Sequence, residues 1–129
     1  MELVDKLIDT IEQRVTLNAP ITSGILPKAP KAVCFRLIPS NLREAHLDDG
    51  RVYQLSFQIL VKDSDQVAAM TTIENITNTL DHLTTADITL TDGQFVKCEV
   101  YTLPNFVEKT EHDEYIYTAL FNAEYAKEV

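Results

Sequence analysis

The stretch from Arg51 to Leu83 constrains the fold of this 129-residue chain more than any other. From Arg51 to Lys62 the residues alternate between two sets. One set is apolar: Tyr53, Leu55, Phe57, Ile59 and Val61. The other set is mainly polar: Val52, Gln54, Ser56, Gln58, Leu60 and Lys62. Successive side chains of a strand point to opposite faces, so this alternation predicts a strand with one buried face. Asp63 and Asp65 then end the strand and offer side-chain oxygens to the first free N–H groups of a helix.

The predicted helix that follows carries one apolar stripe. Its members are spaced three or four residues apart: Val67, Met70, Ile73, Ile76, Leu80 and Leu83. That spacing places them on one side of a helix. A sheet with one apolar face and a helix lying across it forms a complete small core, and a chain of this length is typical of a single domain.

Hydrophobic patterning elsewhere adds one helix and four strands. The helix is expected over residues 2–17, and the strands over 33–39, 86–91, 94–102 and 114–125, with a loop at 103–113. Asp92-Gly93 suits a two-residue hairpin turn between two of these strands. The sequence therefore predicts an α+β single domain, a mostly antiparallel sheet of about five strands with two helices on one face, in the order α-β-β-α-β-β-β.

Two segments are expected to project from this domain. Residues 18–32 hold three of the five prolines and form an extended arm that cannot be helical. Residues 40–50 are polar and end in Asp48-Asp49-Gly50, which predicts a projecting hairpin tip. A compact monomer has little use for a structureless arm as long as residues 18–32, so this arm is either a functional loop or a contact with a partner, and the second is the favoured interpretation.

The net charge of −9 is distributed unevenly along the chain. Residues 1–62 hold 8 basic and 7 acidic residues, whereas residues 63–129 hold 3 basic and 13 acidic residues. Phosphate contacts need lysine and arginine, so direct nucleic-acid binding by the second half is disfavoured. The asymmetry suits head-to-tail contact between copies, or a surface that repels DNA, and equally a merely well-solvated acidic surface.

The sequence shows no recognisable catalytic, cofactor or metal motif. The three histidines, His46, His82 and His112, do not have the sequence spacing of metal ligands. With three glycines in total, the chain has too few to form a glycine-rich phosphate-binding loop. Cys34 and Cys98 lie in apolar strand patterns and are expected to be buried thiols rather than nucleophiles or disulfide partners. The first residues are acidic rather than basic, and no apolar run approaches the roughly 20 residues of a membrane span. Synthesis in the cytosol, with no cofactor, metal or membrane, is therefore expected.

The chain resembles the small minor capsid and tail-completion proteins of tailed phages, and is similar to the tail terminators of long-tailed siphophages. The resemblance spans nearly the whole chain. It lies in the order of the helices and strands, in the chain length and in the general character of the segments. It rests on the N-terminal helix, the arm through Pro27-Lys28-Ala29-Pro30, the strand and helix within Arg51–Leu83, and the tyrosine-rich last strand.

The resemblance implies a structural protein without an active site, forming a ring, usually a hexamer. Such a ring caps the tail tube and joins it to the head connector, first in the host cytoplasm and then at the head-proximal end of the tail. Its expected partners are further copies of itself, the tail-tube protein and the head–tail connector protein. Interface residues are expected in the arm, the hairpin tip and the loop 103–113: Ile21, Ile25, Leu26, Pro27, Arg43, His46 and Phe106. Acidic residues expected to line the lumen are Glu108, Glu111, Asp113 and Glu114.

Two other functions stay open at this point. One is a neighbouring phage part, a head–tail stopper or another minor capsid protein, which gene neighbourhood would distinguish. The other is a small ligand-binding or enzyme domain with a pocket between the sheet and the helix 65–83.

Overall fold

A computed structural model describes residues 2–39, 41–45 and 50–128. Its elements, in chain order, are α1 Glu2–Arg14, β1 Ile21–Ser23, β2 Ala32–Leu37, β3 Asn41–Ala45, β4 Gly50–Asp63, α2 Gln66–Asp81, β5 Gln94–Lys109 and β6 Tyr115–Glu128. Five strands lie side by side in the order β1-β2-β4-β6-β5, and β3 pairs with β4 beyond the end of β2. All neighbours are antiparallel except β1 and β2. The predicted α+β single domain with a mostly antiparallel sheet is confirmed.

Both helices pack on the same face of the sheet, as the sequence predicts. Leu7 and Ile11 of α1, together with Ile73 and Leu80 of α2, join the aromatic row of the sheet in one buried cluster. That row consists of stacked rings from three adjacent strands: Phe35, Phe57 and Phe121. Burying a large apolar side chain contributes roughly 1.5–3 kcal/mol, so this cluster is the main source of stability.

α2 begins as its sequence predicts but buries a different stripe in its first two turns. The Asp65 carboxylate accepts hydrogen bonds from the N–H groups of Val67 and Ala68, which is an N-cap. Val67 and Met70, predicted to be buried, are exposed, and Ala69 and Thr72 face the sheet instead. The buried side chains of these first turns are therefore small ones.

The predicted strand 86–91 is wrong, because no strand of the described structure pairs with this segment. Residues 82–93 are turns and irregular structure. The Asp87 carboxylate accepts from the N–H and hydroxyl of Thr84 and from Arg14 of α1. The Glu2 carboxylate accepts from the N–H and hydroxyl of Thr91. The segment therefore fastens both ends of α1, and Asp92-Gly93 does not join two strands.

The predicted loop 103–113 is also wrong over most of its length, because β5 continues to Lys109. Pro104 is tolerated since β5 is an edge strand, where a missing N–H need not interrupt a ladder. Four register shifts against β6, between residues 95 and 108, break the simple alternation that would have revealed the strand.

Candidate assembly surfaces

The outer half of β5 exposes an unusual number of large apolar side chains. Tyr101 and Leu103 are each 68% exposed, Phe106 is 50% and Val107 is 47% exposed. Among the described residues, β5 pairs with β6 only, so its other side is an open sheet edge. We call residues 101–113 the β5 edge. Exposed apolar residues along an open edge are typical of an interaction surface.

Acidic residues continue the β5 edge into the turn before β6. Glu108, Glu111 and Asp113 are exposed, and Asp113 lies 3.5 Å from the ammonium group of Lys109. Asp113 has a φ of 60°, a left-handed conformation that a short polar side chain tolerates. The predicted assignment of these carboxylates to a lumen stays a prediction.

Glu114 differs from the other three predicted lumen residues, because it is buried and bonded within the subunit. Its side chain accepts a hydrogen bond from the hydroxyl of Thr110 at 2.9 Å and lies 3.9 Å from Lys62. With 6% exposure, Glu114 has little surface to present to any partner. It stabilises the turn between β5 and β6 instead.

The arm at residues 18–32 lies at the other edge of the sheet, the edge farthest from β5. Its Ile21 begins the short strand β1, in parallel register with Val33 of β2. Leu26 packs on the face that the helices leave uncovered, against Cys34, Leu60 and Ile116. Those contacts show that part of the predicted extended arm is docked on its own subunit.

Solvent-facing residues of the arm and of β2, at this edge of the sheet, form a second surface. We call this surface the arm edge: Ile25, Lys28, Lys31, Arg36 and Leu37. Ile25 is 80% exposed and Leu37 is 50% exposed. Lys28 and Lys31 are exposed, whereas Arg36 donates from Nε to the carbonyl oxygen of Gly24. A shallow cleft opens here, lined mainly by Val4, Phe35 and Leu37.

A buried polar cluster connects the arm to the β5–β6 turn. Lys62 is 5% exposed, donates to the carbonyl oxygen of Pro27 at 2.5 Å and faces Glu114. The amide of Asn18 donates to the backbone carbonyl of Lys62 and to the carboxylate of Asp63. The start of the arm, at Asn18, and its middle, at Pro27, are thus tied to the last residues of β4.

The predicted interface residues occupy different environments. Ile25 and Phe106 are well exposed, whereas Leu26 and Pro27 are half-buried by contacts within the subunit. Phe106 also packs edge-on against Tyr117, with ring centroids 5.5 Å apart. The backbone of Arg43 lies in β3, but its side chain, like the whole of His46, falls outside what the structure describes. Their interface role stays a prediction.

Other residues of both edges were missed by the sequence prediction. Tyr101, Leu103 and Val107 were missed because the register shifts in β5 hide its period. The sequence prediction includes Lys28 and Lys31 only as members of the arm. The available signal was charge, since residues 18–39 contain three basic and no acidic residues.

The described residues contain no group of three or more metal-ligating side chains of the histidine, cysteine or carboxylate type. Cys34 and Cys98 are buried thiols, and burial raises the pKa of Cys98 to about 12. A thiol in that state is a poor nucleophile. No helix in the described part of the chain has the length and apolar character needed to cross a membrane.

The space between the sheet and α2, where a ligand pocket was the alternative, is filled by side chains. Ile73, Ile76 and Leu80 are fully buried there. They pack in one cluster with Phe57 and Phe121 of the sheet. This packing leaves the surface edges as the better candidates for function.

Residues 9–127 match the family described as bacteriophage tail terminator protein. The fold is similar to that of a chain in the virion of a native gene transfer agent particle. The two are 17% identical with a TM-score of 0.63, over 95% of this chain and 96% of that one. At this identity the similarity shows the fold alone.

A weaker structural match is the sheath/tube terminator of an extracellular contractile injection system in its extended state. It is 10% identical with a TM-score of 0.46, over 95% of this chain and 55% of that one. This chain therefore spans about half the length of that protein. No curated protein matches the chain. Because the family match covers residues 9–127, nearly the whole sequence, the chain belongs to the bacteriophage tail terminator proteins, which are structural proteins of the phage tail.

Proposed function

We propose that copies of this protein form a closed ring, a hexamer, that caps the tail tube and joins it to the head connector. The observation that carries the proposal is the family match over residues 9–127. The proposed work is structural rather than catalytic. Assembly takes place in the host cytoplasm, and the ring then lies at the head-proximal end of the tail.

The two sheet edges support a ring as the form of assembly. A cyclic array with more than two members needs two different patches on each copy, so that one patch binds the other on the next copy. The β5 edge and the arm edge differ in composition and lie at the two opposite lateral edges of one sheet. Each exposes large apolar side chains, such as Phe106 on one and Ile25 on the other.

Light scattering coupled to size exclusion tests the proposal over a concentration series, with and without tail-tube protein. A species six times the 14.6 kDa protomer is the expected result. Tubes that stop growing when the protein is added would separate a terminator from a head–tail stopper. A strict monomer under every condition, with no effect on tube length, would refute the proposal.

A further inference from the structure

We infer that the acidic β5 edge of one copy binds the basic arm edge of the next copy around the ring. The inference rests on the proposed ring and adds which two surfaces meet in it. Four kinds of observation support it: the positions of the two surfaces, their charges, their exposed apolar side chains, and the contacts that hold them in place within the subunit.

Register across the sheet places the two surfaces at the same height. Ala32 of β2 pairs with Lys62 of β4, Lys62 with Ile116 of β6, and Ile116 with Glu108 of β5. Lys31 directly precedes Ala32, so Lys31 and Glu108 lie near opposite ends of one row. Three strand spacings separate the ends of that row, about 14 Å. A neighbour turned about an axis roughly along the strands would bring its acidic edge level with the basic edge.

Charge makes the two surfaces complementary. Residues 18–39 carry three basic residues and no acidic residue: Lys28, Lys31 and Arg36. The β5 edge, residues 101–113, carries three acidic residues and one basic residue: Glu108, Glu111, Asp113 and Lys109. Like surfaces would repel and unlike surfaces attract, so the charges specify head-to-tail contact over head-to-head contact.

Exposed apolar side chains accompany both charge patches. Leu103 and Phe106 project from the β5 edge, and Ile25 and Leu37 project from the arm edge. The shallow cleft beside Leu37 offers an apolar surface to a projecting side chain. An apolar centre bordered by complementary charges is the usual composition of a specific protein interface.

The two edges are also held in fixed positions before any partner arrives. Lys62 binds the arm through the carbonyl oxygen of Pro27 and faces Glu114 at the end of the β5–β6 turn. Thr110 and Glu114 close that turn by backbone and side-chain hydrogen bonds. Preorganised surfaces lose less entropy on binding, which favours association.

Charge reversal and its rescue test the inference directly. The acid-reversed variant carries Glu108→Lys and Glu111→Lys, and the arm-reversed variant carries Lys28→Glu and Lys31→Glu. Each variant has like charge on both edges. We expect ring assembly, with tail-tube protein where the wild type needs it, to weaken by roughly tenfold or more in each.

Two rescues are expected if the edges meet. A swapped variant with all four substitutions has complementary edges again and should assemble. A one-to-one mixture of the acid-reversed and arm-reversed variants should also assemble, because alternating copies close an even-membered ring. The matched control for the acid-reversed variant is Asp9→Lys with Glu12→Lys on the exposed side of α1, which changes the net charge by the same amount and in the same direction and should leave assembly unchanged. Circular dichroism and thermal melting check that each variant folds.

The outcomes separate this inference from the proposed function. A wild type that never assembles, alone or with tail-tube protein, refutes the ring and this contact together. A wild type that assembles, with reversed variants that assemble equally well or are not rescued by the swap, refutes only the contact. If Glu108→Lys with Glu111→Lys leaves assembly intact and raises affinity for DNA at low salt, the contact is refuted and the acids belong to the lumen.

Discussion

Replacing Lys62 by methionine tests how the arm is fastened to the domain. Methionine has similar length and no charge, so it fills the space but removes the hydrogen bond to Pro27 and the positive charge beside Glu114. We expect the free energy of unfolding to fall by about 2–3 kcal/mol.

The magnitude follows from the geometry of the three groups. A hydrogen bond to a charged group contributes about 1.5–3 kcal/mol, and the Lys62 ammonium is 2.5 Å from the carbonyl oxygen of Pro27. Breaking a well-buried ion pair costs about 3–5 kcal/mol. Here the ammonium is 3.9 Å from the Glu114 carboxylate. Since the Thr110 hydroxyl also donates to that carboxylate, only part of that cost applies.

Urea denaturation followed by circular dichroism at neutral pH measures the change. Glu114→Gln and the double variant complete a thermodynamic cycle, in which we expect a coupling of about 0.5–1.5 kcal/mol. Lys28→Met is the matched control, because Lys28 is exposed in the same arm, and it should change stability by less than about 0.5 kcal/mol. A Lys62→Met variant as stable as the wild type would refute the fastening, and additive single changes would refute the coupling between Lys62 and Glu114.

Three further changes have defined expected outcomes. Hydrogen bonds from Thr84 and then from Arg14 lower the pKa of Asp87 to about 2. Its stabilising contribution is therefore present above pH 3.8, the ordinary pKa, and is lost as the pH falls through about 2. Asp87→Asn should unfold more readily than wild type at pH 7, with the difference shrinking below pH 4 in parallel melts; a constant difference would contradict this. Gly93→Ala should cost roughly 1–3 kcal/mol in urea titration, because φ is 126° and a Cβ would lie 2.5 Å from a backbone oxygen of β6; an unchanged midpoint would contradict this. Cys98 should react with a thiol reagent only at the rate of unfolding, and fast labelling of the native protein would show that it is not buried.

The sequence predicted those elements whose side chains alternate or repeat without interruption. The strand expected at 51–62 is β4, Gly50–Asp63, and the tyrosine-rich strand expected at 114–125 is β6, Tyr115–Glu128. In both, every second residue contributes to one buried face, so the pattern reports the structure directly. The N-cap at Asp65 was likewise visible, since it depends on local hydrogen bonding alone.

Elements whose conformation depends on distant partners could not be predicted in this way. Ile88 and Leu90 alternate as in a strand, but their segment is held by side-chain hydrogen bonds to α1, those of Thr91 to Glu2 and of Asp87 to Arg14. Pro104 and the register shifts of β5 disguised an edge strand as a loop. Most residues of the candidate surfaces could not be predicted for the same reason. Phe106 was predicted to be an interface residue because it falls in the predicted loop 103–113, whereas the exposure of its apolar neighbours follows from the position of β5 at the open edge of the sheet.

The irregular course of β5 also bears on how the isolated protein behaves at high concentration. A long, flat, open edge would recruit any exposed strand and promote open-ended sheet growth and fibrils. Pro104 has no N–H to donate, and the four register shifts twist the strand, so no second strand can form a ladder along all 16 residues. The edge can therefore bind a partner through its side chains without offering its full length as a backbone template, a composition that disfavours open-ended sheet growth.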